Sequence, residues 1–313
     1  MMREITKDPF VFDPKQVPFD SCHASNIALL ADGRLTAVWF AGTQEGAGDV
    51  AIWQSIYDGF RWQAPEIVAK DDETAHWNPV LFQYGGNLLL FYKVGMQIPS
   101  WHTHVKDLNN GTVREIDNMG PVRTKICIAS DGRLLAGAST EDGPWVSYCD
   151  TSTDDGQTWT RSEALRLMEE GQPVMEARRG LIQPSIWESE MGVYHMLMRS
   201  TEGWLYRSDS SDGATWSVPE RTEIPNNNSG FDVVSLGLGR LILCCNPVSG
   251  NWAKRTPLVL MSSNDNGKTF ETVCTLEDSP GEYSYPSLLH NEGRLYVSYT
   301  YNRRTIVCRE FEL

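Results

Sequence analysis

Residues 23–40 read HASNIALLADGRLTAVWF: an apolar run, a tight turn at Asp32-Gly33, then a second apolar run. β-Branched and aromatic residues flank a turn in which glycine supplies positive φ without steric cost, so the stretch reads as a β-hairpin. The phrase recurs as HWNPVLFQYGGNLLLFYK from His76, VRTKICIASDGRLLAGAS from Val122, IQPSIWESEMGVYHMLMR from Ile182, SGFDVVSLGLGRLILCCN from Ser229 and YSYPSLLHNEGRLYVSYT from Tyr283. The turn glycines Gly33, Gly86, Gly132, Gly192, Gly239 and Gly293 fall 46 to 60 residues apart, and four of them open a Gly-Arg-Leu. That period is too long for ankyrin, tetratricopeptide or leucine-rich repeats and fits a four-stranded propeller blade. The expected fold is all-β, a six-bladed β-propeller with four-stranded antiparallel blades, spanning 1–313 as a single domain.

Twenty residues follow Gly293, enough for the rest of a hairpin and a third strand at Thr305 to Phe311 but not a fourth. The N-terminal stretch Arg3 to Phe12 is the natural donor, closing the last blade so that no sheet edge stays open.

Composition narrows the partners. A formal net charge of −14, with no run of Lys or Arg, argues against a nucleic-acid partner, which needs a basic stripe. No stretch approaches the roughly 20 apolar residues that span a bilayer, and the N-terminus lacks an apolar leader core, so neither a membrane nor export is expected. The seven cysteines are odd in number and scattered without metal-type spacing, which suits reduced thiols and a cytoplasmic location.

A second motif carries a family resemblance. Ser152-Thr153-Asp154-Asp155-Gly156-Gln157-Thr158-Trp159 and Ser263-Asn264-Asp265-Asn266-Gly267-Lys268-Thr269-Phe270 share one pattern, with degenerate copies at Asp212-Gly213-Ala214-Thr215-Trp216 and Asp58-Gly59-Phe60-Arg61-Trp62. The Asp can accept hydrogen bonds from its own turn's N–H groups while the aromatic packs between sheets, which makes the motif structural. The pattern matches the Asp box, or BNR repeat, of sialidase-like (neuraminidase-like) propellers. The stretches SCHASNIALLADG, WFAGTQEGAGDVAIW, HWNPVLF and GEYSYPSLL resemble a bacterial branch of that family, and the resemblance covers nearly the whole chain.

In such a propeller the Asp boxes occupy one face, leaving the opposite face to segments that open the first strands or follow the second ones. The first strands open on His23 and Ser25, His76 and Asn78, Arg123 and Lys125, Gln183, Asp232, and Tyr283 and Tyr285; the loops add Glu45 and Asp49, Lys93 and Trp101, Glu141 and Asp142, Arg199, Asn246 with Arg255, and Tyr301 with Arg303. His23 and His76 each lie ten residues before a turn glycine, so the two imidazoles are expected to approach each other. Lys93, Arg123, Lys125, Arg199, Arg255 and Arg303 would suit an anionic ligand, a small acidic sugar or oligosaccharide.

The resemblance implies an exo-acting glycoside hydrolase. Sialidases hold the substrate carboxylate with three arginines, protonate with an Asp and attack with a Tyr assisted by a Glu. By that analogy Tyr283 or Tyr285 is the nucleophile, Glu45 or Asp49 the acid, and Glu141 the assisting carboxylate. Cys22-His23-Ala24-Ser25 stands where the first-blade arginine would be. An alternative is a lyase that breaks a uronate glycoside by β-elimination, with His23, His76 or Tyr285 taking the proton and Arg123, Lys125 or Arg199 neutralising the carboxylate. A third is a non-catalytic glycan-binding propeller with Trp101, Trp145, Trp204 and Tyr301 as stacking platforms. Trp101-His102-Thr103-His104 puts two imidazoles on one side of an extended segment, but no third ligand is identifiable, so no metal and no cofactor is assigned. Oligomeric state is unreadable.

Overall fold

The computed structural model describes residues 2–71 and 73–313. All six repeats become four-stranded antiparallel sheets, the architecture of a six-bladed β-propeller. The chain clusters into two compact units, Met1–Asn118 with Gly281–Leu313, and Met119–Pro280.

The first unit holds three blades. Blade 1 is Ser21–Leu29, Leu35–Gly42, Ala51–Ile56 and Glu66–Ala69; blade 2 is His76–Tyr84, Asn87–Val94, His102–Asp107 and Val113–Glu115. Blade 6 is Tyr283–Asn291, Arg294–Tyr301 and Thr305–Glu312, completed by Arg3–Glu4 from the N-terminus. Arg3 pairs with Glu312 and Glu4 with Phe311; further along, Val11 N–H donates to Ile306 O (2.9 Å) and Cys308 N–H to Pro9 O (2.7 Å). The N-terminal segment therefore clips the last blade as the strand count required. The first strand of blade 1 packs against those of blades 6 and 2, and a core of Phe12, Phe19, Ile27, Trp39 and Ile306 fills one seam.

The second unit holds blade 3 (Cys127–Ile128, Leu134–Thr140, Val146–Ser152, Thr160–Arg161), blade 4 (Leu181–Glu190, Val193–Ser200, Trp204–Ser210, Glu220–Pro225) and blade 5 (Asp232–Gly237, Arg240–Cys245, Leu258–Ser263, Glu271–Glu277). A small ribbon of Met168–Glu169 and Gln172–Pro173 follows blade 3. Cores built on Leu135, Leu181, Tyr194 and Met196, and on Trp187, Leu197, Phe231 and Leu241, glue its blades. One seam is close enough to demand a glycine: a Cβ on Gly137 would collide with the Pro184 carbonyl of the next blade.

The Asp boxes consume their own carboxylates. Asp154 accepts from Thr158 N–H (2.8 Å) and Oγ1–H (2.6 Å), and Asp265 from Thr269 N–H (2.9 Å) and Oγ1–H (2.5 Å). The degenerate copies keep the same logic, Asp212 accepting from Ala214 and Thr215 N–H, and Asp58 from Phe60 and Arg61 N–H. Bonds from the Thr158 hydroxyl and N–H hold Asp154 at about 2, and the Thr215 and Ala214 N–H groups do the same for Asp212.

Because these folded carboxyls lie below the ordinary 3.8, the stability they contribute is complete above that value and lost as pH falls toward about 2. Asp154→Asn and Asp212→Asn are each expected to melt below the parent near neutral pH, with the gap closing as pH drops through that window in a melting series. A gap independent of pH would contradict the account. Gly137→Ala, which overpacks the blade 3 to blade 4 seam, is expected to cost about 1–3 kcal/mol in urea unfolding.

Candidate functional site

Four first strands share one irregularity. Strand register jumps between His23 and Asn26, Trp77 and Val80, Ile182 and Ser185, and Ser284 and Ser287. Just inside each jump sits a non-glycine residue at positive φ: Ala24 (54°), Asn78 (44°), Gln183 (54°) and Tyr285 (54°). An extra residue in one strand breaks the ladder and re-aims a side chain, and such bulges concentrate near functional sites. A left-handed non-glycine residue costs on the order of 1–3 kcal/mol, and a bulky Tyr there is the most out of place. Pro79, Pro184 and Pro286 follow directly in three of the four, where a missing N–H is harmless.

This register corrects the expected pairing of the two histidines. His23 immediately precedes its bulge residue, whereas His76 lies two before, with Trp77 in the equivalent place. Successive strand residues face opposite sides, so the two imidazoles are not counterparts. Counting back from the turn glycine fails because the hairpins end differently: Leu29 faces Leu35 across a long turn, Tyr84 faces Asn87 across a two-residue one. The residues opposite His23, Trp77, Ile182 and Ser284 are Phe40, Lys93, Arg199 and Thr300, all deeply buried.

In the first unit, the His23 ring lies 4.1 Å from the Tyr285 ring, tilted 47°. Its Nδ1 is 3.0 Å from Thr300 Oγ1, a hydroxyl that also accepts the Ala24 N–H (3.2 Å). Tyr283 instead packs on Tyr301 (5.0 Å) and over Gly281, where a Cβ would come 2.7 Å from its hydroxyl. Of the two tyrosines, Tyr285 is the one beside an imidazole. Arg303 donates through Nε to Glu282 (2.7 Å) and pairs with Glu45, so the first-blade acid candidate is held in an ion pair. Asp49 is spent on a turn, accepting the Thr43 N–H and hydroxyl at 2.9 Å each.

His76 is fully buried and forms its own group. Its Nδ1 faces the Thr74 carbonyl at 2.9 Å and can only donate there, which leaves Nε2 as the basic nitrogen, 3.8 Å from Asp71 Oδ2. The ring stacks on Tyr92 at 5.4 Å, and burial holds the imidazole below its ordinary 6.5 while pushing Tyr92 up to about 12. Trp77 and Trp101 stand 5.3 Å apart; Trp77 donates to Gly95 O, and the buried Trp101 Nε1 has no hydrogen-bond partner among the described residues. Lys93 reaches Thr103 Oγ1 (2.5 Å) and Asn118 Oδ1 (3.3 Å), and Asn78 is buried beside its bulge. His102 and His104 share Glu115 at 2.9 and 3.7 Å, and among the described residues no group of three His, Cys, Asp or Glu is placed to hold a metal ion.

The second unit gathers cations among amides. Arg199, 2% exposed, donates to Gln183 Oε1 and Asn228 Oδ1 at 3.0 Å each and lies 5.9 Å from the Trp145 ring. Arg123 donates to the Phe231 carbonyl, and Asp232 accepts from Ser185 Oγ (3.2 Å) across the blade 4 to blade 5 seam. Asn246 donates to Pro257 O, while Lys125, Glu141 and Arg255 are half-buried. The sequence reading missed Trp252: 61% exposed, at φ +57°, its ring edge-on to Trp145 at 6.3 Å. Asn251 beside it accepts from Asn228, linking the loop to Arg199. A tryptophan in the polar run Asn251 to Arg255 was the available signal.

Six four-stranded blades, four of them pinned by Asp boxes or degenerate copies of one, define the class. The chain belongs to the family of BNR repeat-like domains, whose model matches residues 33–297. Its fold is similar to a protein of unknown function from Dyadobacter fermentans (TM-score 0.79, 14% identity, covering 100% of this chain and 99% of that one). It is also similar to a mutant of the NanB sialidase of Streptococcus pneumoniae (0.69, 13%, 98% and 71%) and to Trypanosoma rangeli sialidase (0.72, 15%, 99% and 58%). The chain thus spans under three-fifths of the latter, and at these identities the likeness is one of fold. No curated protein matches.

The His76 environment sets an NMR outcome. Nitrogen-detected titration is expected to show an Nδ1–H neutral ring with a midpoint below 6.5. The lowered folded value means that stability from the neutral ring erodes as pH falls through the ordinary histidine range. A midpoint at or above 6.5 would contradict the buried, carbonyl-fixed tautomer.

Proposed function

We propose that the protein cleaves a glycosidic bond in an acidic saccharide, and that His23 and Tyr285 carry the proton transfers. The observation that carries this reading is Tyr285, held at φ 54° in a strand bulge with its ring 4.1 Å from a buried imidazole. Strain of that kind persists only where surrounding packing enforces it, and it clusters at active sites. A sugar ligand is supported by the fold shared with sialidases, one of which, from Trypanosoma rangeli, is in complex with sialic acid at 17% identity to this chain.

Two chemistries use this pair. In sialidase-like hydrolysis, Tyr285 gives its phenol proton to His23 as its oxygen bonds to the anomeric carbon and the glycosidic C–O bond breaks, and the leaving oxygen takes up that proton. Water then displaces the tyrosine, giving its hydroxyl to the sugar and its proton back to the phenol. In β-elimination, His23 takes the proton α to the uronate carboxylate, the electrons form a carbon–carbon double bond as the glycosidic C–O bond breaks, and the Tyr285 phenol protonates the departing oxygen. The elimination reading is favoured by what surrounds the tyrosine. An imidazole lies against it, and the carboxylates Glu45 and Glu282 are both engaged by Arg303. Lys93, in the same unit as the pair and held by Thr103 and Asn118, is the cation assigned to a substrate carboxylate, through charge-assisted hydrogen bonds.

Product analysis on uronate and sialoside oligosaccharides tests the reading. Elimination is expected, giving an unsaturated uronate with ultraviolet absorbance; a saturated reducing sugar would assign hydrolysis instead. Tyr285→Phe and His23→Ala are each expected to lower turnover at least tenfold with circular dichroism unchanged, within the range for acid–base groups. Parent-like rates in both would remove the pair from the mechanism.

A further inference from the structure

Outside the first-strand groups, blade 4 holds Ser189, His195 and Asp209 in one hydrogen-bonded chain. Ser189 Oγ lies 2.8 Å from His195 Nε2, and His195 Nδ1 lies 2.6 Å from Asp209 Oδ1. The neighbours decide which nitrogen carries the proton. Trp187 Nε1–H donates to Asn266 Oδ1 (2.8 Å), which turns the Asn266 NH2 toward His195 Nε2 at 2.7 Å. A nitrogen facing an NH2 donor is an acceptor, so Nε2 is bare and Nδ1–H donates to the carboxylate. Arg207 is the opposing neighbour, its Nη2 2.8 Å from Nδ1, but its Nε donates to Asp209 (2.9 Å) and its Nη1 to Asn266 O (2.8 Å). Two of the three polar contacts that discriminate the tautomers therefore favour a bare Nε2, whose lone pair the Ser189 hydroxyl shares with the Asn266 NH2.

That arrangement is what activates a serine: a base within hydrogen-bond reach, oriented by a third group. Placement allows access. The strand register slips between Glu188 and Glu190, a bulge centred on Ser189, which is half-buried near the exposed turn residue Met191 (84%) and the exposed strand residue Val193 (36%). The His195 side chain is 7% exposed, shielding the imidazole while Asp209 reaches solvent.

We propose that Ser189 is an activated nucleophile that accepts the acyl group of small esters, at a site separate from the carbohydrate chemistry above. Ser189 Oγ bonds to the acyl carbon and its proton passes to His195 Nε2. The ester C–O bond breaks and the alcohol leaves with that proton. Water, deprotonated by the same nitrogen, then attacks the acyl-serine, and the carboxylic acid departs as Ser189 recovers its proton.

A fluorophosphonate probe on the intact chain, with the adduct mapped by mass spectrometry, tests this. The expected result is stoichiometric modification of Ser189, abolished in Ser189→Ala and slowed at least tenfold in Asp209→Asn, with p-nitrophenyl acetate hydrolysis falling in parallel. Absence of an adduct at Ser189 in the parent protein overturns the proposal without reference to any variant. So does a folded Asp209→Asn protein, by circular dichroism, that reacts at the parent rate.

Discussion

The extra residue in the first strand of blades 1, 2, 4 and 6 is the constraint on which the placement of the buried polar side chains depends. A regular ladder would alternate side chains between two packed faces, and on strands buried on both sides that leaves no room for polar groups. The bulge breaks the alternation once, at Ala24, Asn78, Gln183 and Tyr285, and spends backbone strain to do so. The strain is offset by the packing around it, since the same strands carry Ile27, Val80, Ile186 and Leu288 into the cores a few residues later.

Opposite the residue before each bulge, the second strand supplies Phe40, Lys93, Arg199 or Thr300. Two of these are cations buried almost completely on a chain of net charge −14. Burying a charge is expensive unless hydrogen bonds replace water, and here hydroxyl and amide oxygens from Thr103, Asn118, Gln183 and Asn228 do so. Arg303, by contrast, is met by the carboxylates of Glu45 and Glu282. The polar groups of these strands thus sort into buried rings, His23, Tyr285 and His76, and buried cations, Lys93 and Arg199.

The seams between blades are fixed by a few polar contacts set into apolar cores. Asn26 accepts the Leu81 N–H between blades 1 and 2, Ser25 meets Ser298 between blades 1 and 6, and Ser185 bridges to Asp232 and Val233 between blades 4 and 5. These contacts specify register, because a one-residue slip would leave each buried polar group unpartnered. The Asp boxes act one level lower, stiffening single hairpins through bonds that close within four residues.

Hairpin count, blade period, the Asp-box turns and the closure of the last blade by Arg3 and Glu4 were legible in the amino-acid sequence because each is local: a turn glycine, an alternating run, a carboxylate bonded within its own loop. The Xaa-Pro pairs at Asn78, Gln183 and Tyr285 were equally visible, yet their meaning depended on strand pairing. Only the tertiary structure decided that His23 meets Tyr285 while His76 stacks on Tyr92, that Glu45 is tied to Arg303, and that Trp252 stands exposed over Trp145. The reason is physical: one bulged residue reverses which face a side chain takes, and side chains more than 250 residues apart, such as His23 and Tyr285, meet only through the packing of whole blades.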